Sequence, residues 1–151
     1  MTRITIGNSC KVKPDWPVRS GKSRKSFIQL GADLGNMDTQ YDVITSVFCL
    51  ECATKSVTEY TRALENVAML LKPGGYIVLA GTLEEQHYTV GEYTFWNANT
   101  QKEDVNSALE NTGFTILAWR EMTNDETLQN DDVNCMTKFR CMFITAAQKT
   151  M

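Results

Sequence analysis

Few side chains in this sequence pair reactive chemistry with a place to use it, and most of them stand at the ends of apolar runs. Glu51 closes the run Tyr41–Glu51, YDVITSVFCLE. The β-branched residues Val43, Ile44, Thr45 and Val47 predict a strand over Tyr41–Cys49, apolar enough to be covered on both faces as inside a parallel sheet. Open α/β sheets bind ligands at the carboxyl ends of their strands. Phe48, Cys49 and Glu51 stand at that end, so an aromatic ring, a thiol and a carboxylate face a crevice. The acid pair Glu84-Glu85 follows a second buried run, Tyr76–Ala80, and Gly81. Composition alone makes that pair a solvated loop. Asp33 ends a third, shorter run, Phe27–Leu30, and is either a turn residue before Gly35 or a ligand contact.

Other chemistries find less support. Cys49-x-x-Cys52 has metal or redox spacing, but no second pair accompanies it, and no metal is expected. His87 is the single histidine and reads as a polar loop residue, so a Ser-His-Asp or Cys-His mechanism has little to stand on. Tyr93, Phe95 and Trp96 read as packing rather than as a stacking platform. The G-x-G-x-x-G fingerprint of a nicotinamide-dinucleotide enzyme is absent.

The elements that must position these groups are readable from pattern. Ser56-Val-Thr-Glu59 is a capping box, and Val57, Tyr60, Leu64, Val67 and Leu71 recur at helical spacing behind it. Lys72-Pro-Gly-Gly75 ends that helix, and the strand Tyr76–Ala80 follows. Thr82–Asn99 is a loop with a short hairpin around Tyr93–Trp96. Thr100-Gln-Lys-Glu103 is a second capping box, Val105, Ala108 and Leu109 form a modest apolar face, and Gly113 stops the helix. Phe114–Met122 and Phe139–Ala147 are strands on either side of a polar, acidic loop. Residues 1–26 show poor periodicity and are expected as loop, weak strand or disorder. Alternation of this kind indicates an α/β sheet, and the two last strands form a hairpin, so one of them runs antiparallel.

The totals bound the function. A chain of 151 residues suffices for one domain with a core. A net charge of −3 and a pI near 5.2 argue against a nucleic-acid-binding protein. The one basic cluster, Lys22-Ser-Arg24-Lys25, is a solvated approach to the next strand. No secretory signal is visible, no stretch nears the ~20 apolar residues of a membrane span, and five scattered cysteines read as reduced thiols in the cytoplasm.

Strand, helix, KPGG, strand resembles the second half of a class I S-adenosylmethionine methyltransferase, as does the closing hairpin. Phe48-Cys-Leu-Glu51 followed by Tyr60-Thr-Arg-Ala-Leu64 is similar to the small-molecule N-methyltransferases of phenylethanolamine, nicotinamide and indolethylamine. Gly81-Thr-Leu-Glu-Glu-Gln-His-Tyr88 with Gly91-Glu92 resembles the phenylethanolamine branch most. The resemblance covers Arg24 to Lys149 and is most specific over 41–92. It implies a Rossmann-like sheet, mostly parallel with a C-terminal antiparallel strand, and S-adenosylmethionine as cofactor. Asp33 and Leu34 would line the adenine site, and Val47 and Phe48 would lie beside the methyl donor. Glu51 and Glu85 would hold the substrate amine and take its proton, Tyr88 would sit near cofactor or substrate, and Asp131 would match a C-terminal substrate acid. Nicotinamide methylators carry an Asp where this chain has Gly81.

The same resemblance sets two alternatives. Members of the family carry a first βαβ unit, a Gly-rich cofactor loop and a ribose-binding acid ahead of the matching region, and none is recognised here. The expectation is therefore a poorly structured segment 1–26 and a C-terminal part of a methyltransferase domain over 27–149. In that arrangement Tyr41–Cys49 becomes an exposed apolar edge able to pair with another chain. One alternative is a monomeric cytoplasmic enzyme that methylates a small amine, with neither nucleic acid nor membrane as partner. The other is an inactive methyltransferase-like chain acting, if at all, through its open edge.

Overall fold

The computed structural model describes residues 3–7, 40–90, 92–123 and 139–150. Phe27–Asp33, the adenine-site candidates Asp33 and Leu34, and the substrate-acid candidate Asp131 lie outside them.

The chain forms β1 (Arg3–Gly7), β2 (Tyr41–Val47), α1 (Leu50–Ala53), α2 (Val57–Met69), β3 (Leu71–Leu83), β4 (His87–Val90), β5 (Tyr93–Trp96), α3 (Lys102–Asn111), β6 (Phe114–Thr123) and β7 (Cys141–Lys149). Among the described residues five strands make one sheet in the order β1-β2-β3-β7-β6, and β4 and β5 make a separate hairpin. β1, β2 and β3 are parallel, and β7 runs antiparallel between β3 and β6. This is the expected mixed sheet with one reversed C-terminal strand.

Alternation along β3 builds the core. Ile77 and Leu79 are buried while Tyr76 is exposed, the period-two pattern of a sheet with one face packed. Against that face α2 presents Tyr60, Ala63, Leu64, Val67 and Ala68, and α3 adds Val105, Ala108 and Leu109. Ser56 caps α2 as its sequence predicts: its Oγ accepts the Glu59 N–H at 3.2 Å, and Glu59 accepts the Lys55 N–H at 2.8 Å.

Several boundaries differ from the sequence reading. β2 stops at Val47, two residues early, because Phe48 adopts φ +47° and turns the chain into α1. α2 ends at Met69 because Leu71 is already paired with Tyr41, so KPGG lies within β3 as an irregularity with Gly74 at φ +75°. The second capping box sits one residue later than expected. The Thr100 carbonyl is taken by the Glu84 N–H at 2.9 Å, and Gln101 caps α3 with its N–H on Asp104 Oδ2 at 2.8 Å. β7 begins at Cys141 rather than Phe139. The exposed edge expected at Tyr41–Cys49 is corrected as well. Arg3–Gly7, the weak strand among the readings of residues 1–26, pairs along Val43–Val47 and covers it.

Candidate active site

Glu51 reaches its place through a single helical turn rather than from the strand tip itself. Phe48 donates its N–H to the Ala80 carbonyl at 2.8 Å, the last rung between β2 and β3. The left-handed φ of Phe48 then redirects the chain. Ala53 N–H bonds the Cys49 carbonyl at 2.9 Å, and the Thr54 hydroxyl bonds the Leu50 carbonyl at 2.7 Å. That turn carries Glu51 inward, where it is only 4% exposed. Its main-chain carbonyl accepts the Ala98 N–H at 3.0 Å, so the segment after β5 is anchored to it.

Gly81 makes room for the Glu51 carboxylate. A Cβ built at 81 would stand 2.7 Å from the Glu51 Cδ and 3.0 Å from Oε2, and closer still to Oε1. The neighbouring Thr82 main-chain N–H bonds that carboxylate. Thr82 also turns its hydroxyl to the second acid, donating to Glu85 Oε2. Asn97 Nδ2 donates to the same oxygen at 2.5 Å. Thr82, Glu85 and Asn97 are each buried. One residue of β3 thus holds both acids, one through its backbone and one through its side chain. β2 and β3 are parallel neighbours, and both acids lie beyond their carboxyl ends, Glu51 on the α1 turn and Glu85 two residues past β3.

Glu84 and Glu85 part company at a kink. Glu84 has φ +57°, is exposed and pairs with Arg140 at 2.5 Å, while Glu85 turns inward. Arg140 is fixed in turn by its own N–H on the Leu83 carbonyl at 3.0 Å. Among the described residues three non-glycines hold left-handed backbone: Phe48 shortly before Glu51, Glu84 beside Glu85, and Asn99 two residues after Asn97. Such conformations cost about 1–3 kcal/mol each and persist where surrounding structure enforces them, often at functional sites.

The electrostatics single out Glu51. Burial drives its carboxyl from the ordinary 4.5 up to about 7. The N–H groups of Glu51 itself and Thr82 pull it back, and the nearby Glu85 charge pushes it further up. Burial also raises the Tyr60 hydroxyl, and the Glu51 charge adds to that. Among the described residues Glu51 Oε1 has no hydrogen-bond partner, and Asn97 Oδ1, Thr100 Oγ1 and, away on α3, Asn106 Oδ1 are likewise buried without one. Buried polar atoms are normally satisfied, so three such atoms on the segments meeting here point to a polar group that completes them.

The remaining candidates are placed as follows. Val47 and Phe48 are each 38% exposed at the carboxyl end of β2, an open apolar surface. Tyr88 lies on the β4–β5 hairpin with its ring stacked on Phe95 at 5.2 Å; the hairpin leads from Glu85 to Asn97. His87 packs on Trp96 at 5.6 Å on the exposed hairpin. Cys49 is buried and Cys52 half-buried, and no group of metal-ligating side chains occurs among the described residues. No described helix is long and apolar enough to cross a membrane. Sequence reasoning missed Thr82 and Asn97. Thr82 sits where a loop was expected, and Asn97 meets Glu85 across twelve residues of hairpin, which no local pattern reveals.

Comparison with known proteins agrees with this architecture. The chain is 35% identical over 94 residues to phenylethanolamine N-methyltransferase of Macaca mulatta, covering 61% of this chain and 33% of that protein. It is 34% identical over 94 residues to nicotinamide N-methyltransferase of Homo sapiens, covering 60% of this chain and 35% of that protein. The chain therefore spans about a third of the length of these relatives. The crystal structure of a SAM-dependent methyltransferase from Methanosarcina mazei superposes with a TM-score of 0.58 at 16% identity, covering 80% of this chain and 66% of that one, a likeness of fold. A model of the NNMT/PNMT/TEMT family matches residues 26–150, and the chain belongs to that family.

Proposed function

We propose that this chain carries the amine-binding and proton-accepting part of an S-adenosylmethionine-dependent N-methyltransferase acting on a small amine of the arylalkylamine type, in a cytoplasmic setting that keeps its cysteines as thiols. The observation that carries this reading is the buried acid pair joined through Thr82, with the Glu51 carboxyl raised to about 7.

A nitrogen must be neutral to attack a methyl group, yet alkylamines arrive as ammonium ions. Glu85, tied by Thr82 and Asn97, presents a fixed acid that attracts the cation. Glu51, poised near neutrality, takes the proton and holds it on its carboxyl while the nitrogen lone pair is freed. When bound, S-adenosylmethionine supplies the electrophilic methyl group. The open apolar pair Val47 and Phe48 fits a flat, partly apolar cofactor at the strand ends, and Asp33 and Leu34 would complete its adenine end. Tyr88, on the hairpin that links Glu85 to Asn97, and Asp131 would close the substrate side.

Isothermal titration of the folded chain with S-adenosylhomocysteine tests the cofactor half. Saturable binding that Asp33→Ala abolishes is expected. A folded sample that binds nothing would instead identify a non-catalytic chain. Transfer of labelled methyl to phenylethanolamine, lost in Glu51→Gln, tests the amine half.

A further inference from the structure

The Glu51 carboxylate occupies the space that a side chain at 81 would fill. The three atoms nearest a Cβ at that position all belong to Glu51, and Oε1 is the nearest. Oε1 is also the oxygen without a hydrogen-bond partner among the described residues. The oxygen free to receive a donor is therefore the one whose position depends on the absence of a side chain at 81. Gly81 itself is buried in the middle of a paired stretch of β3, opposite Phe143 of β7, where a glycine weakens a strand and needs another reason to be present.

We propose that Gly81 positions the Glu51 carboxylate: its missing side chain lets the carboxylate lie back against β3 and so fixes how deep an ammonium group can enter. This rests on Glu51 being the amine-binding acid. With glycine at 81 the carboxylate stays withdrawn, next to the Thr82 N–H, and leaves the space in front of it for the substrate nitrogen. A methyl group at 81 displaces the carboxylate, which is the far end of a flexible side chain. It swings forward, leaves the Thr82 N–H and takes up the room meant for the ammonium group. The role is one of positioning: Gly81 acts on substrate only through Glu51. The burial that raises the Glu51 carboxyl is part of the same arrangement, which gives the idea a direct readout.

The test needs neither amine nor cofactor in its first arm. The chain is labelled with carbon-13 at glutamate side-chain carboxyls and titrated by NMR, and the Glu51 signal is identified by its loss in Glu51→Gln. In Gly81→Ala the Glu51 midpoint is expected to fall by at least about one pH unit toward the ordinary carboxylate value, because the displaced acid is no longer buried. An unchanged midpoint overturns the proposal, even if the melting temperature drops. Should Gly81→Ala fail to fold, Gly81→Ala combined with Glu51→Asp decides. The shorter acid vacates the space, so the pair must fold, and failure of the pair to fold also overturns it. In the second arm, phenylethanolamine binding by calorimetry is expected to weaken at least about tenfold in Gly81→Ala, the scale of one lost hydrogen bond to a charged group. Undiminished binding sinks the proposal. If the wild-type chain binds no phenylethanolamine, the functional reading fails, and the carboxyl titration still decides the coupling of Gly81 to Glu51.

Discussion

Replacing Glu51 with Gln should make the protein more stable, by an amount that grows from nothing near pH 4.5 to its full value above about pH 7. In the folded chain the Glu51 carboxyl titrates at about 7, against 4.5 for an unburdened glutamate. Between those values the folded protein holds a proton that the unfolded chain has released. Stability therefore falls as pH rises through that window. The penalty is absent below about 4.5 and fully present above about 7. At about 1.4 kcal/mol for each pH unit separating the two values, the loss reaches roughly 3 kcal/mol at pH 8. Gln keeps the shape, offers an oxygen to the Thr82 N–H, and never ionises. Glu51→Gln should then exceed the wild type by roughly 3 kcal/mol at pH 8, or about 6–12 °C in melting temperature for a chain of this size. At pH 4.5–5 the two should nearly coincide. Urea denaturation at four pH values between 5 and 8 measures the difference directly, and effects of titrating groups not coupled to Glu51 cancel in it. Two stability curves that run parallel across the range would refute the reasoning, since they would mean that Glu51 is not buried as a reluctant anion. The same substitution should abolish methyl transfer, so that one change stabilises the fold and removes the chemistry.

Further outcomes follow from the same contacts. Thr82→Val removes the hydroxyl that donates to Glu85 while preserving shape and the N–H to Glu51. It should cost about 2 kcal/mol in urea denaturation and raise the KM for amine more than it lowers kcat. Ser56→Ala removes the α2 cap and should cost about 1 kcal/mol, with amine binding unchanged, because Ser56 lies outside the site.

What could be read from the sequence divides by range. The helix α2, its cap at Ser56 and its buried face were legible because each depends on residues three or four apart. The sheet class was legible from alternation of element types. The strand ends at Phe48 and Leu71 were not, because each is decided by a partner elsewhere: Ala80 for the first, Tyr41 for the second. Arg3–Gly7 shows the same limit. Five residues among charges and prolines carry a weak local preference, and their strand character comes from pairing with Val43–Val47. Glu51 stood out at the end of a buried run, while Glu85 was singled out by the family resemblance alone, since nothing local separates it from Glu84. That choice is made by the left-handed turn at Glu84 and by Arg140, fifty-odd residues away.

The way the site is assembled also explains why its cost is concentrated there. Strained backbone at Phe48, Glu84 and Asn99, unsatisfied oxygens on Glu51, Asn97 and Thr100, and a carboxyl raised by burial all belong to segments that meet at the carboxyl end of β2 and β3. Each is unfavourable alone, and a chain selected only for stability would shed them: a polar residue in place of Glu51 would relieve the burial, and any common residue in place of Gly81 would strengthen β3. Their coincidence at one end of the sheet is what a binding function predicts. A cation entering this place would meet Oε1, quench the repulsion between the two acids and lower the Glu51 carboxyl again. The protein should accordingly be stabilised by small ammonium ions above pH 7, where Glu51 is charged, and much less near pH 5. Thermal melts of the wild-type chain with and without millimolar phenylethanolamine at the two pH values measure that difference, and equal shifts at both would show that the ammonium group binds away from Glu51.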